Sequence, residues 1–253
     1  MNSVAPSRRP RNTASTNSTA PGMITLFHSP LSVPSRFVRL VLAECDLTPT
    51  LAEERLWERR EEFLVLNPAA TLPVLVENDG PAISGSWAVA EYLDETRGFG
   101  LSERRLLPPN AEQRAEGRRL TEWFLNKFDA EVTGYITEEK IIKRERARAG
   151  LHSGTPDSSL LRAARANIRT HLRYIEHLLV DRNWLAGAQL SYADLAAAAG
   201  LSVADYLGEV PWADAGEAKD WYVRMKSRPS FRPLLADQIR GMRPSAHYAD
   251  LDF

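Results

Sequence analysis

Short apolar runs in the first hundred residues alternate between the two-residue period of strands and the 3.6-residue period of helices. β-branched and aromatic residues over 24–27 predict a strand, and helical spacing over 35–44 predicts a helix. The same pattern predicts, in order, a strand over 50–55, a short helix over 61–66, strands over 73–76 and 82–83, and a helix over 87–93. The predicted order is βαβαββα, with the first two strands parallel and the last two in a hairpin.

The second half of the chain has helical periodicity throughout. Its apolar spacing predicts helices over 111–149, with Gly134 as the candidate break, and over 159–180, 191–206 and 217–227. Ser191 and Asp194 stand at the spacing of a capping box, in which the serine caps the helix and the acid reaches back. Such a cap stabilises a helix by roughly 1 kcal/mol. The sequence therefore predicts an α/β unit followed by an all-α unit.

Changes in composition divide the chain further. Residues 1–22 are rich in Ser, Thr, Asn, Pro and Arg and have no acidic residue, which predicts a disordered extension. A true start at Met23 is the alternative, because the first apolar run follows it directly. The predicted segments are the extension 1–22, the α/β domain 23–98, a Gly- and Pro-marked linker 99–110, the helical domain 111–237 and a C-terminal tail 238–253.

Charge and cysteine usage narrow the classes of function. The net charge of −1 does not favour nucleic acid or an anionic membrane as the main partner. No apolar run approaches the roughly 20 residues that span a bilayer. The single cysteine, Cys45, rules out an internal disulfide and suits a reducing compartment, so we expect a cytoplasmic protein. His and Cys are not clustered, so we expect no metal site.

Leu72 and Pro73 stand immediately before the third predicted strand. Proline cannot donate to a sheet ladder, so Pro73 is expected at the first position of that strand. A cis bond costs only about 0.5–1 kcal/mol at X-Pro, and here it would turn the backbone of Leu72 toward a cleft. A proline at a strand start with no further role is the other interpretation.

Four motifs together resemble the glutathione S-transferase superfamily, over a region from Met23 to about Leu235. They are Ser32-x-x-x-Arg36, the phrase Phe63-Leu-x-Leu-Asn67-Pro68-x-x-x-Leu72-Pro73-Val74-Leu75, Ser86 at a helix start, and Ser191-x-x-Asp194. The resemblance implies a thioredoxin-like N-terminal domain (βαβαββα), an all-helical C-terminal domain and a homodimer. This GST fold agrees with the order of elements predicted from periodicity.

The resemblance also implies roles in glutathione binding. Leu72, before a cis Pro73, would offer its backbone to the cysteinyl part of glutathione. Ser86, at a helix N-terminus, would bind the γ-glutamyl carboxylate through free N–H groups and the helix dipole. Ser32 matches the activating hydroxyl of serine-type members, which stabilises the glutathione thiolate for attack on an electrophile. The neighbouring serines that compete for this role are Ser29 and Ser35.

Two departures from the family pattern weaken the implied glutathione site. Phe27 occupies the position at the end of the first strand where some members carry tyrosine. Gly85 replaces the acid that pairs with the γ-glutamyl ammonium. Loss of such a charge-assisted hydrogen bond, of about 1.5–3 kcal/mol, would weaken glutathione about tenfold or more. Glutathione is the one candidate cofactor, and we expect the pocket that would bind it to be eroded at Gly85.

Phrases in the C-terminal half resemble a more particular branch, the alphaproteobacterial division proteins that have this fold and bind the tubulin homologue FtsZ. The phrases cover 209–212, 226–237 and 247–253. The resemblance implies FtsZ as partner, the division site as location, and these partner-contact candidates: Trp57, His247, Tyr248, Asp250, Leu251, Asp252 and Phe253. An apolar, aromatic tail can also pack back on its own domain, and both interpretations stay open.

Two functions from different classes follow. The favoured hypothesis is a non-catalytic regulator that binds FtsZ filaments and modulates constriction. The alternative is a serine-type glutathione S-transferase that conjugates glutathione to small electrophiles. A glutathione-dependent isomerase or dehalogenase is a weaker third, since fold does not fix function.

Overall fold

The computed structural model describes residues 23–251; the prediction of a disordered extension over 1–22 lies outside them. The N-terminal domain has the predicted order βαβαββα. Its elements are β1 (Ile24–His28), α1 (Val33–Glu44), β2 (Thr50–Glu53), α2 (Glu61–Leu66), β3 (Val74–Glu77), β4 (Ile83–Ser84) and α3 (Ser86–Arg97). The predicted fold class, a thioredoxin-like domain followed by a helical domain, is confirmed.

The four strands form one mixed sheet in the order β2-β1-β3-β4. β1 is parallel to β2 and antiparallel to β3, and β3 and β4 form the predicted hairpin. Side chains alternate between faces along a strand, and in β1 Ile24, Leu26 and His28 are buried in the core. Phe27 points to the opposite face, where its ring lies 5.8 Å from that of Phe63 in α2.

The C-terminal domain is helical. Its elements are α4 (111–148), α5 (Ser158–Leu179), α6 (Tyr192–Tyr206), α7 (Gly216–Lys226) and the short α8 (Arg232–Leu235). The prediction of a break in α4 near Gly134 is wrong, because Gly134 has helical angles, φ −59° and ψ −45°. α4 instead changes its hydrogen-bond spacing, with π-helical turns over Trp123–Thr133 and Glu138–Ile142. None of the helices within residues 23–251 has the length and apolar character needed to cross a bilayer.

Helix α6 is the centre of the molecule, since every residue from Tyr192 to Tyr206 is buried. Small residues allow this close packing: a methyl group built at Gly200 would lie 2.8 Å from the Phe128 ring. The predicted capping box begins the helix, where Asp194 Oδ2 accepts the Ser191 N–H at 3.0 Å. α6 therefore enters the core with its first turn fixed.

The two domains meet where α1 packs along α6. The Phe37 and Tyr192 rings lie 5.8 Å apart, edge to face, and the Tyr192 hydroxyl donates to the Ala90 carbonyl at 2.9 Å. Arg36, fully buried in α1, donates to Ser202 Oγ of α6 at 2.8 Å. The interface combines aromatic packing with a buried guanidinium, and it fixes the two domains on either side of a cleft.

Candidate functional site

A cavity of about 580 Å³ lies between the domains. Three segments of the thioredoxin-like domain line it, together with one side of α4 and the beginning of the tail. Its lining comprises residues 29–32, 53–57, 71–72, 141–142, 145–146 and 238–240. Ser32, Leu72 and Trp57 therefore share one cavity, although they lie far apart in sequence.

Ser32 is the N-cap of α1, and its Oγ accepts the Ser35 N–H at 3.3 Å. Serine is a favoured N-cap because its side chain satisfies an N–H that has no partner in the helix. Ser35 is buried, and its own Oγ accepts the Ser29 N–H at 3.3 Å. Of the three candidate serines, Ser29 and Ser32 line the cavity and Ser35 does not.

The Leu72-Pro73 peptide bond is cis, and Pro73 stands directly before β3. The Pro73 carbonyl accepts the Gly85 N–H at 3.0 Å, which ties the two loops together. Leu72 lines the cavity. The structure thus brings Leu72 and Ser32 together, as the implied glutathione site requires.

Ser86 is the first residue of α3, but it is not part of the cavity lining. Gly85, the N-cap before it, has φ 94° and ψ 142°. Positive φ is the region that favours glycine over residues with a Cβ. Nothing lies within 4 Å of a methyl group built at Gly85, so a longer side chain would meet strain and not a clash.

We expect Gly85→Glu to tighten glutathione binding about tenfold, because it restores a carboxylate where the family pairs with the γ-glutamyl ammonium. Isothermal titration calorimetry with glutathione measures the change. Gly85→Ala is the matched control, since it carries the same positive-φ strain of about 1–3 kcal/mol without the charge. Equal glutathione affinity in the two variants would show that the missing acid does not limit binding.

Trp57 connects the two sides of the cavity. It lies in a 3₁₀ turn, Leu56–Glu58, and the Arg146 guanidinium of α4 lies over its ring, 5.9 Å from the centroid. A cation over an indole face is attracted by the ring quadrupole. Trp57 is half-buried, so part of its ring stays open to the cavity.

Tyr248 of the tail is fully buried. Its ring packs edge to face on Tyr206, with centroids 5.0 Å apart. Its hydroxyl accepts from Arg36 Nη1 at 2.9 Å and donates to the Leu234 carbonyl at 2.9 Å. Tyr248 therefore anchors the tail to both domains, and its side chain has no surface to offer a partner in this arrangement.

Lys226, at the end of α7, holds the backbone on either side of Tyr248. Its buried Nζ donates to the carbonyls of His247 at 3.1 Å and Asp250 at 2.6 Å. Burial lowers the pKa of Lys226, and the nearby Asp205 carboxylate opposes that shift. His247 Nε2 lies 2.9 Å from Asp205 Oδ1. The tail as far as Asp250 is thus part of the folded domain.

The remaining predicted contact residues divide into two groups. Asp250 is exposed, and Leu251 is 38% exposed. Asp252 and Phe253 lie outside the described residues. The partner-contact role of the whole set stays a prediction, with Trp57 and Leu251 as the members whose apolar surface is accessible.

A cluster of largely buried charged residues, which sequence analysis did not identify, connects the tail to helix α1 near the cleft. Asp237 accepts from Arg39 through both carboxylate oxygens at 2.8 Å, and from Arg36 at 3.3 Å. His28 is buried beside them, and burial with the nearby Arg39 charge lowers its pKa to about 4. His28 is therefore neutral at pH 7. No group of three or more metal-ligating side chains is arranged around an ion site within residues 23–251.

Comparison with known families assigns the class of protein. The family described as "Glutathione S-transferase, N-terminal domain" matches residues 32–96, and "Glutathione S-transferase, C-terminal domain" matches residues 132–229. The chain belongs to the glutathione S-transferase family.

Particular relatives are similar over nearly the whole chain. "FtsZ-localized protein A" of Caulobacter vibrioides is 48% identical over 232 residues, which cover 90% of this chain and 98% of the relative. The solved structure "FzlA from C. crescentus" is 46% identical with a TM-score of 0.83, over 91% of this chain and 100% of that one. A structure named as a glutathione S-transferase from Sinorhizobium meliloti 1021 is 54% identical with a TM-score of 0.87, over the same shares.

Proposed function

We propose that this chain is a cell-division regulator that binds FtsZ filaments and modulates constriction without working as a transferase. The observation that carries the proposal is the 48% identity to FtsZ-localized protein A along 98% of that protein's length. The family's fold is kept at much lower sequence identity, as in a structure that is 25% identical with a TM-score of 0.66. An identity of 48% is therefore much higher than the shared fold alone requires. We propose, on the basis of the same relationship, that the chain acts at the division site within the cytoplasm.

The glutathione side of the cleft supports a non-catalytic role. Gly85 supplies no carboxylate for the γ-glutamyl ammonium, and Phe27, the next-to-last residue of β1, supplies no hydroxyl. Phe27 is instead engaged with Phe63 on the far face of the sheet. A site that lacks a charged partner loses about 1.5–3 kcal/mol of ligand binding.

Trp57 and Leu251 are the side chains proposed for FtsZ contact. Tryptophan is enriched among the residues that contribute most to an interface, and Leu251 is the predicted tail contact whose apolar side chain is exposed. We propose further that the chain acts as a homodimer. Two copies would present two FtsZ-binding surfaces, and avidity would then link neighbouring filaments. Sedimentation velocity of the purified chain tests the dimer.

The test of FtsZ binding is co-pelleting with GTP-assembled FtsZ. We expect the intact chain to pellet with the filaments and to stay in the supernatant without GTP. Removal of residues 251–253 is the sharper tail variant, because it retains Tyr248 and the Asp250 carbonyl that Lys226 holds. Removal of residues 247–253 would also take away the structural anchor and would confuse loss of contact with loss of fold.

A serine-type glutathione S-transferase is the second candidate. The observation that favours it is the shared cavity of Ser32 and Leu72 beside a cis proline. In that function the Ser32 hydroxyl would donate to the glutathione sulfur and stabilise its thiolate. Turnover of a chloronitrobenzene substrate that Ser32→Ala abolishes would establish this activity, whereas turnover unchanged by Ser32→Ala would exclude Ser32 from it.

A further inference from the structure

Four exposed arginines lie where the last turns of α4 meet the beginning of the tail. Arg144 and Arg148 are four residues apart, which places them on the same side of α4. Arg240 and Arg243 lie on either side of a tight turn at Gly241, where φ is 76°. Arg148 packs against this turn, since a methyl group built at Gly241 would lie 2.6 Å from its Nη1. Together the four arginines form the arginine patch.

Contacts on both sides of Arg243 hold the tail along the end of α4. Lys140 of α4 donates to the Leu207 carbonyl at 3.1 Å. The neighbouring Tyr206 carbonyl accepts the Ser245 N–H of the tail at 2.9 Å. Arg243 stands in sequence between Ser245 and the turn that packs on α4, so it lies along the same stretch of the helix. The fold therefore brings the tail arginines to the α4 arginines.

The members of the arginine patch have no hydrogen bond and no ion pair among residues 23–251. Other charged residues of the same two segments are paired, Arg146 with Glu138 at 3.3 Å and Asp237 with Arg39 at 2.8 Å. Like charges four residues apart destabilise a helix, and clustered charges of one sign repel one another. The patch therefore does not stabilise the fold, and a ligand of opposite charge would remove the repulsion.

Part of the patch lies beside Trp57. Arg148 and Arg240 line a surface depression of about 210 Å³ together with this tryptophan. Two carboxylates share the lining: Glu58, which has its own arginine partner at 3.4 Å, and the half-buried Glu145. Burial raises the pKa of Glu145, and nearby arginine charges, that of Arg148 among them, offset part of the shift. One such carboxylate cannot neutralise the whole patch, so this surface stays positive.

The chemistry of the patch favours a carboxylate partner. A guanidinium has a planar fork of N–H donors that matches the two oxygens of a carboxylate. The net charge of the whole chain is −1, so the molecule has no general attraction for a nucleic acid or an anionic membrane. A local excess of positive charge on such a chain instead fits a short acidic segment. Tryptophan and arginine, which lie together here, are also enriched among the residues that contribute most to protein interfaces.

We propose that the arginine patch binds a short acidic segment of a partner protein, in which several Asp or Glu side chains are exposed together. The guanidiniums of α4 and of the tail would donate to those carboxylates from two sides. The proposal deepens the proposed function and rests on it for the identity of the partner, FtsZ. The chemistry of the patch is tested without FtsZ, so the two can fail separately.

Fluorescence anisotropy of a labelled oligoglutamate peptide, titrated with the full chain, tests that chemistry. We expect the peptide to bind at low salt and to be released as the NaCl concentration rises, because salt screens exposed charges. An oligoglutamine peptide should not bind. Arg144→Gln/Arg148→Gln and Arg240→Gln/Arg243→Gln should each weaken oligoglutamate about tenfold, since each double variant removes two exposed ion pairs.

Arg173→Gln/Arg224→Gln is the matched control. Both residues are exposed arginines, on α5 and α7, that have no ion pair within residues 23–251 and do not line the depression. The control removes the same charge, and its affinity for the peptide should stay within about twofold of the parent because charges outside the contact are screened. Circular dichroism verifies that all three double variants are folded.

The proposal is overturned if oligoglutamate does not bind, if oligoglutamine binds equally, or if the control weakens the peptide as much as the patch variants do. It is also overturned if an oligothymidylate or phosphatidylglycerol vesicles bind more tightly than the peptide. Co-pelleting with FtsZ is scored separately. Reduced pelleting of both patch variants supports an acidic segment on FtsZ, and full pelleting of both overturns that assignment. An intact chain that never pellets overturns the proposed function, whatever the peptide result.

Discussion

Tyr248→Ala is expected to lower the free energy of unfolding by about 3–5 kcal/mol, the range for removal of a large buried aromatic side chain. The ring packs on Tyr206, and its loss would leave a cavity between the tail and α6. The hydroxyl is also a partner of the buried Arg36 and of the Leu234 carbonyl. Replacing this tail residue should therefore also weaken the interface between the two domains, where Arg36 lies. Urea unfolding followed by circular dichroism measures the change.

Tyr248→Phe separates the contribution of the ring packing from that of the hydroxyl's hydrogen bonds. It keeps the ring and removes the hydroxyl, so we expect a loss of about 1–3 kcal/mol from the unsatisfied buried groups. Leu251→Ala is the control within the tail, because Leu251 is partly exposed and should change stability by about 0.5 kcal/mol or less. If Tyr248→Ala unfolds at the same urea concentration as Leu251→Ala, Tyr248 does not anchor the tail.

Asp194→Ala is expected to cost at least about 3 kcal/mol of stability. The fully buried carboxylate accepts the N–H groups of Leu185 at 2.8 Å and Ser191 at 3.0 Å and the Trp221 indole N–H at 3.1 Å. Each donor left without an acceptor in the core costs about 1–3 kcal/mol. The variant also loses the cap of α6, the buried helix along which α1 of the thioredoxin-like domain packs.

Thermal unfolding followed by calorimetry measures this loss. Asp214→Ala is the matched control, since the Asp214 side chain is exposed and its one ion pair within residues 23–251 is a long 3.7 Å pair with Arg169. We expect the control to unfold within about 0.5 kcal/mol of the parent chain. A loss of less than about 1 kcal/mol in Asp194→Ala would mean that the capping box is not needed to fix α6 in the core.

Local signals were sufficient for much of the fold. The order βαβαββα follows from periodicity and turn residues, and the capping box at Ser191 follows from two residue types at fixed spacing. Gly134 was the exception. Glycine usually weakens a helix, but here the π-helical spacing brings the Asp129 carbonyl to 2.9 Å from a methyl group built at Gly134. The absence of a side chain at this position permits that turn, so the helix continues where propensity predicted a break.

The packing of the tail was not available from local sequence. Tyr248 contacts Arg36 across 212 residues, and Lys226 binds carbonyls 21 and 24 residues away, pairings that no helix or strand period encodes. The tail's aromatic character allowed either packing or partner contact. The structure assigns Tyr248 to packing, and it leaves Leu251 accessible.

The candidate site was predictable in part. Family motifs placed Ser32 and Leu72 together, and the structure has both in one cavity beside a cis proline. Ser86, the first residue of α3, lies outside that lining. The contribution of α4 was not predicted. The turn that carries Glu145 and Arg146 reads in sequence as a charged helix face, and only the domain arrangement sets it opposite Trp57.

Co-pelleting with GTP-assembled FtsZ shows directly whether this chain binds FtsZ filaments. We predict that the intact chain pellets with filaments in a saturable manner, and that Trp57→Ala and removal of residues 251–253 each reduce the pelleted fraction. Trp184→Ala, a half-buried tryptophan that stacks with Arg224 outside the cleft, should pellet like the parent. If the folded intact chain stays in the supernatant at every FtsZ concentration, it does not bind FtsZ filaments and the proposed function is wrong.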